Sequence, residues 1–391
     1  MHFKIFIRLI IIALFIGSTI KPFDRSFFYR ASSFWDEPRF EVSSLTTLNV
    51  QLTGGSTKHG KNNRYKTTSI FGIYGKEDGI SSLGKFIFTG TFDLFEANFN
   101  VYQNLIKGFF VHFHLPVVSC ELFPMSCYKY KPLCYLKSNL PSINQVKLLT
   151  LNEKLKNNAI MLDSVKEHGL SDTSLLAGWS LNYEGTTHLD FIDFALQLGV
   201  LFPTGRKLCP NLLFDIPLGY NGHWGIPWIV DFSVGAYEWL TWGLHNDGVL
   251  FFNHSECIPL TICPTGLLRF NTADAIVKSG PVWRIGTYIK ADHIFRGLSF
   301  LAAFTFEQKN RNKILYSENN ITHLHAANRQ EWLKTWNRLM TQFILEYDFS
   351  YERNGINNRI AFLYNHQITG KRVFSTDVLG GYFGFDVLWC F

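Results

Sequence analysis

Charged and imidazole side chains recur at every second position along several apolar segments of this 391-residue chain. Successive side chains of a β-strand point to opposite faces, so this spacing collects the polar groups on one face. Polar groups of both charge signs facing one compartment could hold water and bind or pass small polar solutes or ions. The candidates that share this pattern are Glu96, His112, His114, Asp193, Asp231, Arg284, Lys290, Glu346, Asp348, Arg359 and Asp386.

Two of these candidates, His112 and His114, place imidazoles side by side on one strand face. Imidazole is a common ligand of transition metals, but no third ligand lies near this pair in the sequence. We therefore expect ordinary polar wall residues here, and we predict neither a metal nor another cofactor. Arg284 and Lys290 also share a strand and a face, so we expect them to influence ion selectivity together.

Strands must carry these groups, and the chain contains suitable segments separated by polar spacers. We predict twelve strands, with ten or fourteen as alternatives, at residues 40–53, 85–103, 109–116, 175–184, 191–201, 226–238, 242–252, 282–292, 298–308, 337–350, 357–366 and 374–391. Their length suits a tilted strand that crosses the apolar core of a bilayer. The spacers alternate between short and long, which predicts short turns at one end of a barrel and long loops at the other.

The second predicted strand has an irregular pattern. Apolar residues alternate in one register from Phe95 to Val101, whereas the aromatic residues from Phe86 to Phe92 lie in the opposite register. A β-bulge adds one residue to a strand and exchanges its faces. We therefore predict a bulge near residues 93–95.

The last ten residues, YFGFDVLWCF, form one amphipathic pattern with Phe385, Trp389 and Phe391 on a single face. A chain that ends on such a strand, with a final Phe, resembles the outer-membrane β-barrel proteins of Gram-negative bacteria. The resemblance implies a closed antiparallel transmembrane barrel surrounded by outer-membrane lipid. It also implies that these three aromatic residues are the signal read by the barrel assembly machinery. Asp386 lies on the other face, so its change to asparagine should be mild.

The beginning of the chain agrees with export to the outer membrane. Lys4 and Arg8 precede a short apolar run, which is typical of a secretory signal peptide. No later stretch reaches the length of a transmembrane helix. Aromatic residues make up 16% of the chain and charged residues 17%, fewer charges than the roughly 25% of average soluble domains. We predict a signal peptide at 1–18, an N-terminal periplasmic segment at 19–39 and the barrel at 40–391.

Soluble all-β folds and a membrane-anchored chain are the alternatives. A propeller would repeat at a fixed period near 40–50 residues, and no repeated motif is present. A sandwich does not need an apolar stripe on nearly every strand. The terminal strand could also belong to a soluble sheet, and the first residues could be an uncleaved anchor.

Six of the seven cysteines fall in the predicted long spacers: Cys120, Cys127, Cys134, Cys209, Cys257 and Cys263. An oxidising compartment favours disulfides between such residues, and six cysteines allow fifteen pairings. We expect disulfides that clamp the loops, with free thiols or a metal site as alternatives. The spacings do not match the paired motif of zinc ribbons.

Three functional classes remain. We expect a porin-like channel for small polar solutes or ions; a plugged barrel that presents surface loops is the second possibility. Outer-membrane phospholipases are the third, because residues 335–343 faintly resemble a stretch beyond their catalytic motif. However, no serine accompanies His323 and His325, so the nucleophile is missing and we expect no enzyme. The net charge of +6 is modest and no nucleic-acid-binding motif is present.

Overall fold

A single antiparallel β-barrel dominates the structure, a computed structural model that describes residues 45–70, 79–80, 84–129, 165–184, 189–209, 212, 215–261, 269–317, 328–349, 357–375 and 377–388. Twelve strands form this barrel. They are β1 (Leu45–Thr57), β2 (Gly84–Asn104), β3 (Phe109–Lys129), β4 (Thr173–Glu184), β5 (Phe191–Phe202), β6 (Gly225–Ala236), β7 (Leu240–Phe251), β8 (Val282–Phe295), β9 (Leu298–Lys309), β10 (Trp336–Asp348), β11 (Asn357–Lys371) and β12 (Asp377–Leu388).

The barrel closes without leaving a free sheet edge. Each strand pairs with its neighbours in the sequence, and β1 pairs with β12, with Leu45 opposite Leu388 and Gly54 opposite Leu379. Closure satisfies the backbone hydrogen bonds that an open sheet would expose to lipid. The predicted fold class, a closed antiparallel barrel of twelve strands, is confirmed.

Strand β3 differs most from the prediction, which ended it at Pro116, a residue that has no N–H to donate to the ladder. In the structure Pro116 stays in the ladder opposite Asn98, and its carbonyl accepts a hydrogen bond from Ser171 N at 2.9 Å. Beyond it, β2 and β3 continue to pair as far as Phe86 and Lys129. The hairpin therefore extends well past the proline.

The two ends of the barrel carry connections of different length. Short turns at residues 105–108, 237–239 and 296–297 lie at the end that also holds Leu45 and Leu388, and β4 and β5, like β10 and β11, are also joined at this end by few residues. The tightest turns use left-handed backbone, with Gly297 at φ 86° after Arg296 at φ 40°. The opposite end carries the longer connections at 58–83, 130–172, 203–224, 252–281 and 310–335 and a brief one at 372–376. This asymmetry was predicted, and it places the long loops on the extracellular side.

Small strands outside the barrel organise the extracellular loops. One sheet joins His59–Lys61, Thr67–Ser69 and Val373–Phe374, and another joins His254–Thr261, Arg269–Lys278 and Lys313–Ser317. A short strand at Gly79–Ile80 pairs with the start of β2, and another at Val165–Leu170 pairs with β3. A 3-10 helix spans Glu331–Leu333. Among the described residues, no helix is long and apolar enough to cross a membrane.

The two faces of the strands separate apolar from polar side chains as the sequence predicts. Outward positions expose large apolar side chains, such as Leu198 at 58% and Ile289 at 54%. Inward positions bury mostly polar ones, such as Gln51, Asn98 and Thr305. An exposed apolar belt of this extent suits lipid rather than water.

The predicted bulge near residues 93–95 is wrong. The irregularity in the pairing of β2 lies earlier, between Thr89 and Thr91. Phe92 therefore shares the inward face with Glu96, and its ring packs 5.2 Å from that of Phe374. This contact with an extracellular loop keeps the aromatic side chain buried, so no exchange of faces is needed.

The terminal strand keeps its predicted orientation as far as it is described. Phe385 lies outward, opposite Leu48, with its ring 5.0 Å from that of Phe383. Trp389 and Phe391 lie outside the described residues, as do the predicted signal peptide and periplasmic segment. Those predictions therefore stay untested.

Substitution of Phe385 by aspartate should reduce assembly, because a carboxylate on the lipid face costs on the order of 1 kcal/mol or more. We expect a several-fold smaller fraction of protein that migrates faster before boiling than after it on a detergent gel. Phe385→Leu is the control and should assemble normally. Equal loss in both variants would contradict a lipid-facing position.

The structure gives Asp386 partners that bear on the predicted Asp386→Asn substitution, whose effect stays a prediction. Asp386 accepts a hydrogen bond from Thr47 Oγ1 at 2.8 Å and lies 3.6 Å from Arg359 Nη2. The first contact joins β12 to β1, where the barrel closes, and the second joins β12 to β11. The sequence places Asp386 on the inner face but does not reveal these partners.

Candidate functional site: the barrel lumen

The inward face contains the predicted polar residues, and most of them are buried. Glu96, His112, His114, Asp231, Arg284, Glu346, Asp348, Arg359 and Asp386 are all less than 9% exposed. Asp193 and Lys290 are partly exposed. The inner wall is therefore polar, as expected, but its central groups have little contact with bulk solvent.

A continuous charged chain crosses β6, β7 and β8. His245 lies between two carboxylates: it contacts Asp231 through Nδ1 and lies 2.7 Å from Asp247 Oδ1 through Nε2. Arg284 donates to Asp247 twice, from Nε at 2.7 Å and from Nη2 at 3.0 Å. Asp231 and Arg284 were predicted from the sequence, whereas His245 and Asp247 of β7, which connect them, were not. Both residues alternate along β7 with the outward Trp242, Leu244 and Leu250, and this pattern would have placed them on the inward face.

Arg284 and Lys290, predicted to influence ion selectivity together, have different partners in the structure, and their effect on selectivity stays a prediction. Arg284 belongs to the charged chain just described, whereas Lys290 Nζ forms an ion pair with Asp292 Oδ1 at 2.6 Å. The side chains of Lys290 and Asp292 are 23% and 22% exposed. The two cations therefore have separate carboxylate partners and different access to solvent.

A second buried ion pair joins Arg338 of β10 to Glu307 of β9. Glu307 is fully buried, and neither residue was predicted from the sequence. Arg359 of β11 faces Asp386 of β12, as described above. Each buried arginine of the inner wall thus meets a carboxylate on a neighbouring strand, which offsets part of the cost of removing both charges from water.

The two predicted histidines belong to a hydrogen-bonded network. Asn100 Oδ1 lies 2.8 Å from His114 Nδ1 and 3.3 Å from His112 Nε2, while His112 Nδ1 lies 3.1 Å from Gln197 Oε1. The ring of His112 also stacks on Tyr102 at 4.0 Å. Within the described part of the chain, no group of three or more potential ligands could hold a metal ion. The hydrogen bonds to Asn100 and Gln197 make both histidines part of the polar inner wall.

Part of the inner wall is apolar, which the sequence analysis did not foresee. Seven buried inward side chains on β8 to β12 pack as one cluster, named here the lumenal apolar patch: Tyr288, Leu301, Ala303, Ile344, Ala361, Leu363 and Tyr382. A uniformly water-filled pore would present polar groups at these positions. The lumen therefore has two chemical regions, one charged and one apolar.

The extracellular loop at residues 203–224 covers one side of the barrel mouth. Tyr220 of this loop packs into a cluster with inward residues of β4 to β8: Leu176, Leu201, Ile229, Val249 and Val282. Its ring lies 4.6 Å from that of Phe251, and Lys309 Nζ lies 5.8 Å from both ring centres. The loop thus holds an aromatic side chain at the entrance to the lumen.

Two acidic residues fix this loop to the barrel. The carboxylate of Asp172, just before β4, accepts hydrogen bonds from Gly205 N at 2.9 Å and Tyr220 N at 2.5 Å. Glu256, in the small sheet of the next loop, accepts one from Asn221. Burial raises the pKa of Asp172 to about 6 and that of Glu256 to about 7, because desolvation outweighs these hydrogen bonds.

Acidification should therefore stabilise the docked state, in which the loop at residues 203–224 is held against the barrel by Asp172 and Glu256. A carboxyl group whose pKa is raised in the docked state stabilises that state at low pH, and the stabilisation is lost as the pH rises through 6 to 7. Nearby His223, whose pKa burial lowers to about 4, stays neutral across this range. We expect slower hydrogen exchange in residues 203–224 at pH 5 than at pH 8, after correction for intrinsic rates.

The double variant Asp172→Asn and Glu256→Gln supplies the control for this pH effect. It removes both titrating groups and should abolish most of the difference between pH 5 and pH 8. A difference of unchanged size in the variant would mean that other groups control the loop.

The disulfide prediction is not confirmed. Cys120 lies buried within β3 rather than in a loop, and it and Cys209 are free thiols. Cys257 forms no disulfide with either of them. The side chains of Cys127, Cys134 and Cys263 lie outside the described part of the structure, so the prediction stays untested for them.

No family model and no curated protein matches this sequence. Among solved structures, an outer membrane channel from Pseudomonas putida F1 aligns with 91% of this chain and 100% of its own, at 9% identity and a TM-score of 0.54. The β domain of a Bordetella autotransporter covers 88% and 100%, at 9% identity and a TM-score of 0.38. The P. putida toluene transporter TodX covers 91% and 91%, at 10% identity and a TM-score of 0.31. The first likeness establishes an outer-membrane β-barrel fold, and the other two are too distant to add to it.

Proposed function

We propose that this outer-membrane β-barrel is a channel for small polar solutes or ions. The observation that carries the proposal is the polar inner wall, with charged or amide side chains facing the lumen. Such groups replace part of the hydration shell of a permeating solute. A barrel needed only as a scaffold has no requirement for them.

The buried state of the charged groups supports a narrow or closed conformation of this channel. Tyr220 and its loop lie at the extracellular mouth, and paired charges occupy the wall below them. We propose that movement of this loop widens the entrance. Outer-membrane lipid surrounds the barrel, the assembly machinery inserts it, and we assign it no enzymatic activity.

Planar-bilayer recording tests the channel directly. We expect discrete single-channel currents from the wild-type protein and larger currents from Tyr220→Ala, because the substitution removes the aromatic side chain from the entrance. Tyr237→Ala is the matched control, since Tyr237 lies 76% exposed in a turn at the opposite end. Its conductance should equal that of the wild type.

A plugged barrel that presents extracellular loops is the second candidate. The burial of inward charges from several strands favours it. Absence of current from the wild type, from Tyr220→Ala and from protein with its extracellular loops clipped by protease would support this candidate and contradict the channel.

A further inference from the structure

The buried charges of the inner wall do not balance. Among the residues whose burial the structure describes, seven carboxylates and three arginines are buried at inward positions of the barrel strands, although the whole chain carries a net charge of +6. The carboxylates are Glu96, Asp231, Asp247, Glu307, Glu346, Asp348 and Asp386, and the arginines are Arg284, Arg338 and Arg359. Buried carboxylates in excess of their cations attract positive charge, because desolvation makes an uncompensated anion costly.

One of these carboxylates has an oxygen available to a ligand. Glu346 of β10 is 3% exposed, and its Oε2 has no hydrogen-bond partner among the described residues. A buried acceptor without a donor costs free energy that a suitable donor would recover. An ammonium group offers three N–H donors and the opposite charge.

Glu346 lies at the border of the lumenal apolar patch. Ile344 precedes it by two positions on the same inward face, and Ala361 lies directly opposite it on β11. Tyr382 follows Ala361 across the next strand pair, and its hydroxyl oxygen also lacks a partner within the described structure. A carboxylate, an apolar surface and a tyrosine ring are therefore adjacent, and aromatic rings attract cations as well.

We propose that the lumen binds and passes small organic cations, namely primary ammonium compounds that carry an alkyl or aryl group. The ammonium group donates to Glu346 Oε2, and the apolar part contacts the lumenal apolar patch. This inference rests on the proposed channel and specifies its solute class. Anions of the same size and shape are excluded by the acidic surplus.

Three small ions separate the effect of the ligand's charge on binding from the effect of its aromatic ring. Benzylammonium and benzoate each carry one ring and one charged group, and methylammonium lacks the ring. In planar bilayers under a KCl gradient, we expect a reversal potential on the cation-selective side. Added benzylammonium should reduce the potassium current at concentrations about tenfold lower than methylammonium, whereas benzoate should have no effect.

Glu346→Gln tests the residue itself, because glutamine keeps the shape and removes the charge. We expect it to weaken the block by benzylammonium about tenfold. Glu184→Gln is the control, since Glu184 is exposed at the periplasmic end of β4. Each variant must show the wild-type shift in gel mobility on boiling, so that assembly defects are recognised.

A binding measurement without current distinguishes the two proposals. Benzylammonium should raise the unfolding temperature of the detergent-purified wild type but not that of Glu346→Gln. If the wild type carries no current yet shows this shift, the channel fails and the binding site stands. Equal shifts with benzoate, no shift at all, or an unchanged response in Glu346→Gln would overturn the site.

Discussion

Replacing Asp247 by alanine should destabilise the barrel by about 3–5 kcal/mol, because it leaves a buried arginine without its carboxylate. Arg284 is 2% exposed and donates two hydrogen bonds to Asp247. The same change removes one of the two carboxylates that contact His245. Urea unfolding of the protein in liposomes, followed by tryptophan fluorescence, measures the loss.

A second substitution separates two free energies: the cost of leaving Arg284 buried without a carboxylate, and the contribution of the Asp247–Arg284 pair to stability. In the double variant Asp247→Ala with Arg284→Met, no uncompensated arginine remains, and we expect it to be more stable than Asp247→Ala alone. If the double variant is less stable by the full sum of both single changes, the two side chains do not interact as described.

Arginine at Phe343 should have the next largest effect, a destabilisation of about 2–4 kcal/mol. Phe343 lies near the middle of β10 on the outward face, 40% exposed, and its ring stacks with that of Phe300 at 6.3 Å. Arginine there brings a charge into the apolar core of the bilayer. The same liposome unfolding assay applies.

Tyr237→Arg is the matched control for Phe343→Arg. Tyr237 is more exposed, but it lies in the turn between β6 and β7, at the level where polar headgroups and water are available. We expect a change within about 1 kcal/mol there. Similar losses at the two positions would contradict the assigned depth in the membrane.

Alternation of apolar and polar residues was sufficient to predict the barrel. The pattern depends only on the period of a strand, so β5, β9 and the inward position of Asp231 followed from local sequence. The length of β3 did not follow, because proline disfavours a strand interior, whereas in the structure Pro116 lies within the ladder opposite Asn98. Phe92 was misplaced because its contact with Phe374, in a loop distant in sequence, could not be read from the local pattern.

The candidate site was predictable in composition but not in its contacts. Glu346 and Arg359 were found by their spacing, yet no local signal states which carboxylate each arginine meets. The apolar patch was missed because its members come from five different strands, β8 to β12, and pack together only once these strands have paired. The anchoring of the mouth loop by Asp172 depends on Gly205 and Tyr220, which join a different strand pair.

The seam between β1 and β12 has a consequence for the time course of folding. The hydrogen bond from Thr47 to Asp386 joins residues separated by 339 positions, so the first strand finds its last partner only after the rest of the chain has been ordered. Contacts of such high sequence separation slow folding, because chain entropy is lost before they form. A chain that stops before β12 leaves β1 and β11 with open edges at any intermediate stage, and such edges pair readily with other chains. We therefore expect the pairing of β1 with β12 to form late, and the barrel to lose its exposed edges only at that step.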